Sequence, residues 1–505
     1  MWLPCCGTPW VLPIGSRSPC RRSHARRIRV RSPYRVTMTE TLSDTKSGAI
    51  TEIVAMRRHG FEQGVTRPIA WRTSQLDAME AMLREHADDF ARALHSDLRK
   101  PPTEAWTTEI GFTLSDIEHQ RKHLAEWARP RKVGIPLLFR PGSARVVPEP
   151  KGVVLVLAPW NYPLQLLLAP MAAAIAAGNA IVAKPSELAP ATSALLVDLC
   201  ASYLDPTVIS VIGGGVPEST ALLGERFDHI FFTGGSRVGK IVMRAAAEHL
   251  TPVTLELGGK SPAIVAADAD IGVAARRIAW GKFTNAGQTC IAPDYVLVDR
   301  AVRDQLVAEI AVVVGDFYGA DPRTSDDYGR IVSDQHATRL SGLLNDEGSG
   351  TVAVGGTVDA ADRYIAPTVL VEPDPMGPLM QEEIFGPLLP VLAIDDIDGA
   401  IAFVNDRAKP LALYVFSNDD DLVERVVRRT SSGGVGVNAT LLHIGPPELP
   451  FGGVGPSGMG AYHGRSGFET FSHLKSVYAR RVKPDPSVMY PPFTNVKKWL
   501  IKLVQ

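Results

Sequence analysis

Between Lys151 and Leu250 the chain repeats one unit, a short apolar strand followed by a helix, and few folds accept that repetition. GVVLVLAP reads as a buried strand, and 163–177 as a helix with Pro163 in its first turn, closing at Gly178. AIVAKP, a helix from Pro190 to Tyr203, VISVIGG, a short helix, HIFFTG and the helix VGKIVMRAAAEHL follow in order. Strands that lack polar alternation and are separated by helices belong in a parallel sheet covered on both faces. The expected fold is α/β, built on a Rossmann-type dinucleotide-binding sheet. No internal sequence repeat is present, and no apolar run approaches the roughly 18 residues that cross a bilayer.

Upstream, residues 48–120 carry an amphipathic helical pattern, clearest in LDAMEAMLREHADDFARALHSDL, which Pro101-Pro102 brings to an end. Residues 131–147 are marked by Pro and Arg, with extended stretches that suit an edge or a bridging element. Beyond Pro262 a second α/β half is expected: a helix over 271–283, strand YVLVD, helix VRDQLVAEIAVVV and strands around 364–371. The terminal VKKWLIKLV makes a short amphipathic helix. Packing on the body or a partner is favoured for it over a peripheral membrane contact.

The first 37 residues are of a different kind. They hold three of the five cysteines and eight arginines but no acid, so without them the net charge of −1 becomes −9. The apolar part precedes the basic part, the reverse of a secretory signal. An Arg-rich targeting peptide and a nucleic-acid-binding arm are alternatives; the preferred expectation is an upstream extension without a fold of its own, with Met38 as the natural start. The acidic body argues against a nucleic-acid partner. Cys200 and Cys290 then remain, which make neither a disulfide framework nor a metal site and fit a reducing cytoplasm.

Cys200 lies in the helical pattern SALLVDLCASYL and reads as packing, whereas Cys290 sits in FTNAGQTCIAPD among small and amide-bearing residues. Gly287 there would let backbone approach a bound molecule with no Cβ in the way. In LELGGKSP, Glu256 stands at the end of an apolar strand, before a Gly-Gly turn, where a carboxylate is costly without a task or a partner. A small buried thiol and a solvated strand-end carboxylate are the bland readings of each alone. Two apparent nucleotide motifs fail. No helix pattern follows the GVGVNA that begins at Gly434, and Thr254 stands where a P-loop ending in Gly259-Lys260-Ser261 needs its first Gly.

Taken together, the runs around Cys290 and Glu256 resemble the cysteine and glutamate motifs of the NAD(P)-dependent aldehyde dehydrogenases. PWNYP, CIAPDY, LPFGGVGPSGMG, AYHG and GFETFSH are similar to the class 3 subfamily of fatty and aromatic aldehyde dehydrogenases. The likeness runs from Met38 to the C terminus. It implies a dinucleotide-binding domain from 38–127 and 148–253 and a catalytic domain at 254–440. A bridging, oligomerisation and C-terminal part would come from 128–147 and 441–505. Class 3 members are commonly dimers, so a homodimer is expected.

The resemblance also implies roles. Cys290 would be the nucleophile, Glu256 the base that activates water, and Asn161 a donor to the oxyanion. The loop with Gly234, Ser236 and Gly239 would meet the dinucleotide pyrophosphate, and Gly235 stands where many members carry Ser. Lys184 and Glu187 of KPSE would bind the adenosine ribose, although a turn capped by Ser186 is the structural reading of the same residues. A carboxylate there repels a 2′-phosphate, which favours NAD while leaving NADP possible. In EIFGP, Glu383 would hold the nicotinamide ribose and Phe385 pack near the ring. Glu256 further implies hydrolysis of the thioester rather than acyl transfer to coenzyme A. No Arg or Lys in these motifs would grip an acid tail, and Tyr162, His443 and Phe451 could line an apolar channel, so medium- to long-chain aliphatic or aromatic aldehydes are expected. The competing readings are a non-catalytic, crystallin-like scaffold and a thiol esterase acting without redox chemistry.

Overall fold

The computed structural model describes residues 47–504; the expectations for residues 1–37 and for Met38 fall outside the described residues. The amphipathic N-terminal pattern becomes helices Ser47–Glu62, Ile69–Glu85 and Ala87–Leu98. Arg99 turns left-handed (φ 50°) to stop the last of these ahead of Pro101. A π-helical turn, Trp106–Ile110, then leads into helix Gly111–Trp127.

Strands β1 (Arg131–Val133) and β2 (Gly142–Pro150) precede the repeated unit, which forms β3 (Val153–Leu157), β4 (Ala180–Lys184), β5 (Ile209–Val211), β6 (His229–Thr233) and β7 (Val253–Glu256). β3, β4 and β6 are buried at every position, as strands covered on both faces must be. The chain runs outward from β3 through β4 to β5, then returns to place β6 and β7 on the other side of β3. Such a reversal opens a crevice at the carboxyl ends of β3 and β6. Helix Gln165–Ala177, buried along its whole length, covers the sheet and ends at left-handed Gly178 (φ 91°). β7 continues through Glu256, so the expected domain change between 253 and 254 falls inside a strand.

The second half contributes β8 (Pro262–Val265), β9 (Tyr295–Asp299), β10 (Thr351–Val354), a small ribbon of β11 (Val358–Asp359) and β12 (Tyr364–Ile365), β13 (Thr368–Val371), β14 (Leu388–Ile394), β15 (Ala412–Phe416) and β16 (Gly434–Val437). Seven of these form a sheet ordered β10-β13-β14-β9-β8-β15-β16, parallel except for β10. Only the short stretch 257–261 separates β7 from β8. It joins the carboxyl end of the first sheet to the amino end of the second, where the loops entering β9 and β14 also lie. The sequence motifs cluster between the sheets for this reason.

Two late strands return to earlier parts of the fold. β17 (Gly458–Met459) joins the first sheet antiparallel to β7, with Gly458 opposite Glu256. β18 (Ser472–Arg480) pairs along the whole of β2 in a three-stranded antiparallel sheet with β1. The terminal helix Asn495–Val504 leaves Val496, Trp499 and Leu503 exposed. Among the described residues, no helix is long and apolar enough to cross a membrane.

Candidate active site

Helix Ile271–Phe283, capped by Asp270 accepting from Val273 N (3.0 Å), delivers the loop that carries Cys290. Asn285 (φ 53°) and Ala286 (φ 51°) are both left-handed, a conformation that needs outside support. Gln288 supplies much of it. Its side-chain amide donates to Asn285 O and Arg330 O (2.9 Å each), and its carbonyl accepts from Val332 N (2.9 Å). Gly287 (φ 76°) makes a close approach within the protein itself. A Cβ there would stand 2.3 Å from Gly386 O, so this glycine lets the cysteine loop lie against the Glu383–Pro387 segment.

Asn161 follows β3 and meets this loop directly. Its Nδ2 donates to Gln288 O (3.0 Å), and its own carbonyl accepts from Asn285 Nδ2 (2.9 Å) and Lys100 Nζ (3.1 Å). Tyr162 Oη lies 2.6 Å from the hydroxyl of Thr289, the residue before Cys290. An amide with a second N–H to spare is thus fixed beside the thiol.

Cys290 is partly exposed. Burial, then the carboxylates of Glu383 and Glu256, push its thiol pKa well up, while the N–H groups of Cys290 and Ile291 pull it down. Glu256, 2% exposed, ends β7 with both carboxyl oxygens lacking a hydrogen-bond partner among the described residues. Burial raises its pKa well above the usual carboxylate range. A buried carboxyl near a thiol, with no partner of its own, is arranged to handle a proton. The raised thiol has a measurable consequence. Alkylation of Cys290 by iodoacetamide should climb about tenfold per pH unit from roughly pH 6 to 9 without levelling, because only the thiolate reacts. A plateau below about pH 7.5 would contradict this.

Glu383 lies against the main chain after Glu256, where a Cβ at Gly258 would stand 2.1 Å from Glu383 Oε2. Burial, reinforced by Asp294, lifts its pKa to about 8 against the opposing hydrogen bond from Gly259 and the charges of Lys260 and Lys282. Lys260, from the rejected P-loop imitation, braces this segment. It pairs with Asp294 and donates to Leu379 O (3.0 Å) and Glu382 O (2.9 Å), while Asp294 accepts from Ile384 N (2.9 Å). Phe385 packs edge-on to Trp160, with ring centres 5.3 Å apart.

Two of the three residues expected to line a channel, His443 and Phe451, pack side by side. His443 stands 5.8 Å from Tyr414 and 6.1 Å from Phe451 between ring centres, and burial holds its pKa down at about 4, so the imidazole is neutral. Phe451 packs edge-on to Tyr462 at 5.9 Å. The third, Tyr162, is the one bound to Thr289 on the cysteine loop. Tyr462 escaped the sequence reading. Its buried hydroxyl has no partner among the described residues, and after burial its titration is governed first by Glu256 and then by Cys290, which places it near both. Only its position in AYHG, within a recognised motif, hinted at it.

Of the residues expected to hold a cofactor, Lys184, Glu187, Gly234, Ser236 and Gly239 lie at or just after strand ends of the first sheet, whereas Glu383 and Phe385 precede β14 of the second. Gly234 N donates to Glu256 O (3.0 Å) at the end of β6; after Gly235, helix Ser236–Ala247 begins, with Gly239 in its first turns against Leu257. Lys184, buried at the end of β4, donates to Pro185 O (3.1 Å) and Glu187 (3.2 Å). Of these, Lys184 and Glu187 meet each other, while Gly234 and Gly239 lie against Glu256 and Leu257 at the end of β7. Ser186 caps the turn, its Oγ accepting from Leu188 N (3.2 Å), and Asp97 holds the start of the next helix, accepting from Ala191 N (3.0 Å) and Thr192 N (2.8 Å). The set fits a dinucleotide: Gly235 has open space around it, exposed Val238 and Ile241 offer an apolar ledge beside the helix start, and Glu383 Oε1 is buried without a partner among the described residues.

Comparison with known proteins gives the family. The aldehyde dehydrogenase family model matches residues 20–477. A dimeric NADP-preferring aldehyde dehydrogenase of Mus musculus is 49% identical over 445 residues, 88% of this chain and 98% of the relative. The 4,4'-diaponeurosporen-aldehyde dehydrogenase of Staphylococcus aureus is 45% identical over 440 residues, 87% of this chain and 96% of the relative. A solved substrate-bound structure of Staphylococcus aureus AldH superposes with a TM-score of 0.88 at 44% identity, covering 90% of this chain and 99% of that one.

Proposed function

The chain belongs to the aldehyde dehydrogenase family as an NAD(P)-dependent enzyme akin to its class 3 members, and from that premise we propose that it oxidises medium- to long-chain aliphatic or aromatic aldehydes to carboxylates by a hydrolytic, cysteine-thioester route. The observation that carries this reading is the meeting of Cys290, the Asn161 amide and the unpartnered carboxyl of Glu256 between the two sheets.

Sγ of Cys290, once its proton is lost, attacks the aldehyde carbonyl carbon. The free N–H of the Asn161 side chain and the Cys290 backbone N–H receive the oxygen as it gains charge. Lys184, Glu187, Gly234, Ser236, Gly239 and Glu383 would hold NAD(P), with Phe385 as an apolar neighbour. NAD(P) would supply a hydride acceptor there, so that the adduct on Cys290 is left as a thioester. Glu256 then takes a proton from water as its oxygen bonds to the thioester carbon. The C–S bond breaks and the carboxylate departs.

Aromatic walls from Tyr162, Phe451, Tyr414 and Tyr462, with a neutral His443, support an apolar aldehyde. One relative is named for 4,4'-diaponeurosporen-aldehyde. Glu187 supports a lean toward NAD, and a relative that prefers NADP supports use of both. The word dimeric in that relative's name, together with the peripheral sheet β1-β2-β18, supports a homodimer. The test is NAD(P)H formation over a panel of aldehydes. Hexanal, octanal and benzaldehyde should each give a higher kcat/KM than succinic semialdehyde, with NAD ahead of NADP. The opposite ranking would reject the substrate class.

A further inference from the structure

We infer that the buried ion pair Lys100–Glu109, contributed by the N-terminal helical region, is a positioning device that holds Asn161 at the angle its oxyanion role requires. The inference rests on the reading of Asn161 given above.

Both side chains are fully buried. An isolated buried pair is a poor source of stability, because its desolvation offsets its attraction and apolar replacements are often as stable. What this pair does hold is the stretch around Asn161. Lys100 Nζ, besides meeting Glu109 Oε1, donates to Asn161 O (3.1 Å) and lies 4.1 Å from the centre of the Tyr162 ring. Glu109 Oε2 accepts from Leu164 N (2.9 Å) and Gln165 N (3.3 Å), the otherwise unsatisfied donors at the start of helix Gln165–Ala177. Each of these contacts beyond the pair itself thus falls on residues 161–165.

The consequence is geometric. Asn161 O accepts from Lys100 on one side and Asn285 on the other, so both lone pairs of the carbonyl are used. The main chain cannot turn without leaving buried groups unpaired. Its side-chain amide is anchored through one N–H to Gln288 O, which aims the second. Glu109 reaches this place from the π-helical turn Trp106–Ile110, a departure from α geometry that recurs at functional sites. On the same segment burial raises the pKa of Glu104, against a smaller lowering by the nearby backbone of Asn285. One stretch, 100–109, therefore holds Asn161 and lies beside the cysteine loop.

The test uses the double variant Lys100→Met/Glu109→Gln in the full chain, which removes both charges and leaves a side-chain amide oxygen able to accept from Leu164 N. The expected result is a folded protein with unchanged NAD affinity and a kcat/KM for octanal lowered about 10- to 100-fold, the scale set by misplacing a reacting group. In an Asn161→Ala background the same pair of changes should cost less than about twofold, because the device acts only through Asn161. Wild-type kcat/KM in the double variant overturns the inference, as does an equal loss in the Asn161→Ala background, which would mean general disruption. If Asn161→Ala alone leaves kcat/KM unchanged, it is the oxyanion reading that fails. Should the double variant not fold, Lys100→Arg takes its place. Its planar donors cannot reproduce the single Nζ contact to Asn161 O, so it should lose kcat at unchanged KM for NAD, and full activity would overturn the inference.

Discussion

Cys290→Ala should abolish aldehyde oxidation, with kcat/KM falling by at least about 10⁴-fold, while NAD binding and folding persist. The size follows from what the site lacks without this sulfur. Asn161, Tyr462 and the backbone N–H groups can orient a carbonyl, but none offers an electron pair at the carbon. Cys200, the other cysteine among the described residues, cannot substitute: it is buried in helix Pro190–Tyr203 within the hydrophobic core, whereas Cys290 is partly exposed. Alanine also removes little volume from a partly exposed position, so loss of activity would not reflect loss of fold. Steady-state NADH formation, read beside the melting temperature, checks both halves. Residual turnover within about tenfold of wild type would reject Cys290 as the nucleophile.

The second large effect concerns Glu256. Glu256→Gln should still release one NADH per active site in a rapid burst, then turn over about 10²- to 10⁴-fold more slowly, because the amide cannot take the proton of the attacking water. The same substitution should stabilise the protein at neutral pH. A carboxyl whose pKa is raised on folding binds its proton more tightly in the folded state than in the unfolded one. Stability therefore falls as pH rises from the unfolded value of about 4.3 toward the folded one. Gln carries no such penalty, so the melting temperature should exceed that of wild type at about pH 8 and converge with it near about pH 4. A burst that disappears with the steady state would assign Glu256 to the first half of the reaction instead.

The cadence from β3 to β7 could be read from the chain because its central strands are buried on both faces, which leaves an unbroken apolar run between helices. Cys290, Glu256 and Asn161 could be read because they lie in short motifs, and the fold does bring them together. The residues that hold them in place were hidden for a physical reason. Lys100 and Glu109 sit in a polar stretch of the kind that normally faces water, and only the tertiary fold, which joins Lys100 to Asn161 61 positions on, buries them. Asp97, near the end of its own helix, reaches Ala191 at the start of a helix 94 positions on, a contact that no local pattern announces. The two-residue strand β17 is too short to carry a period, although it sets Gly458 beside Glu256. Gly287 was correctly read as a site of close approach, but the approaching group is Gly386 of the same chain.

Whether a thioester forms on Cys290 and is hydrolysed by Glu256 is read by mixing the Glu256→Gln variant with octanal and NAD, quenching in acid, and measuring the mass of the peptide that bears Cys290. This peptide should gain one octanoyl group in the same proportion as NADH is released, and the gain should be absent without NAD. NADH released in full with the Cys290 peptide unmodified would contradict the mechanism.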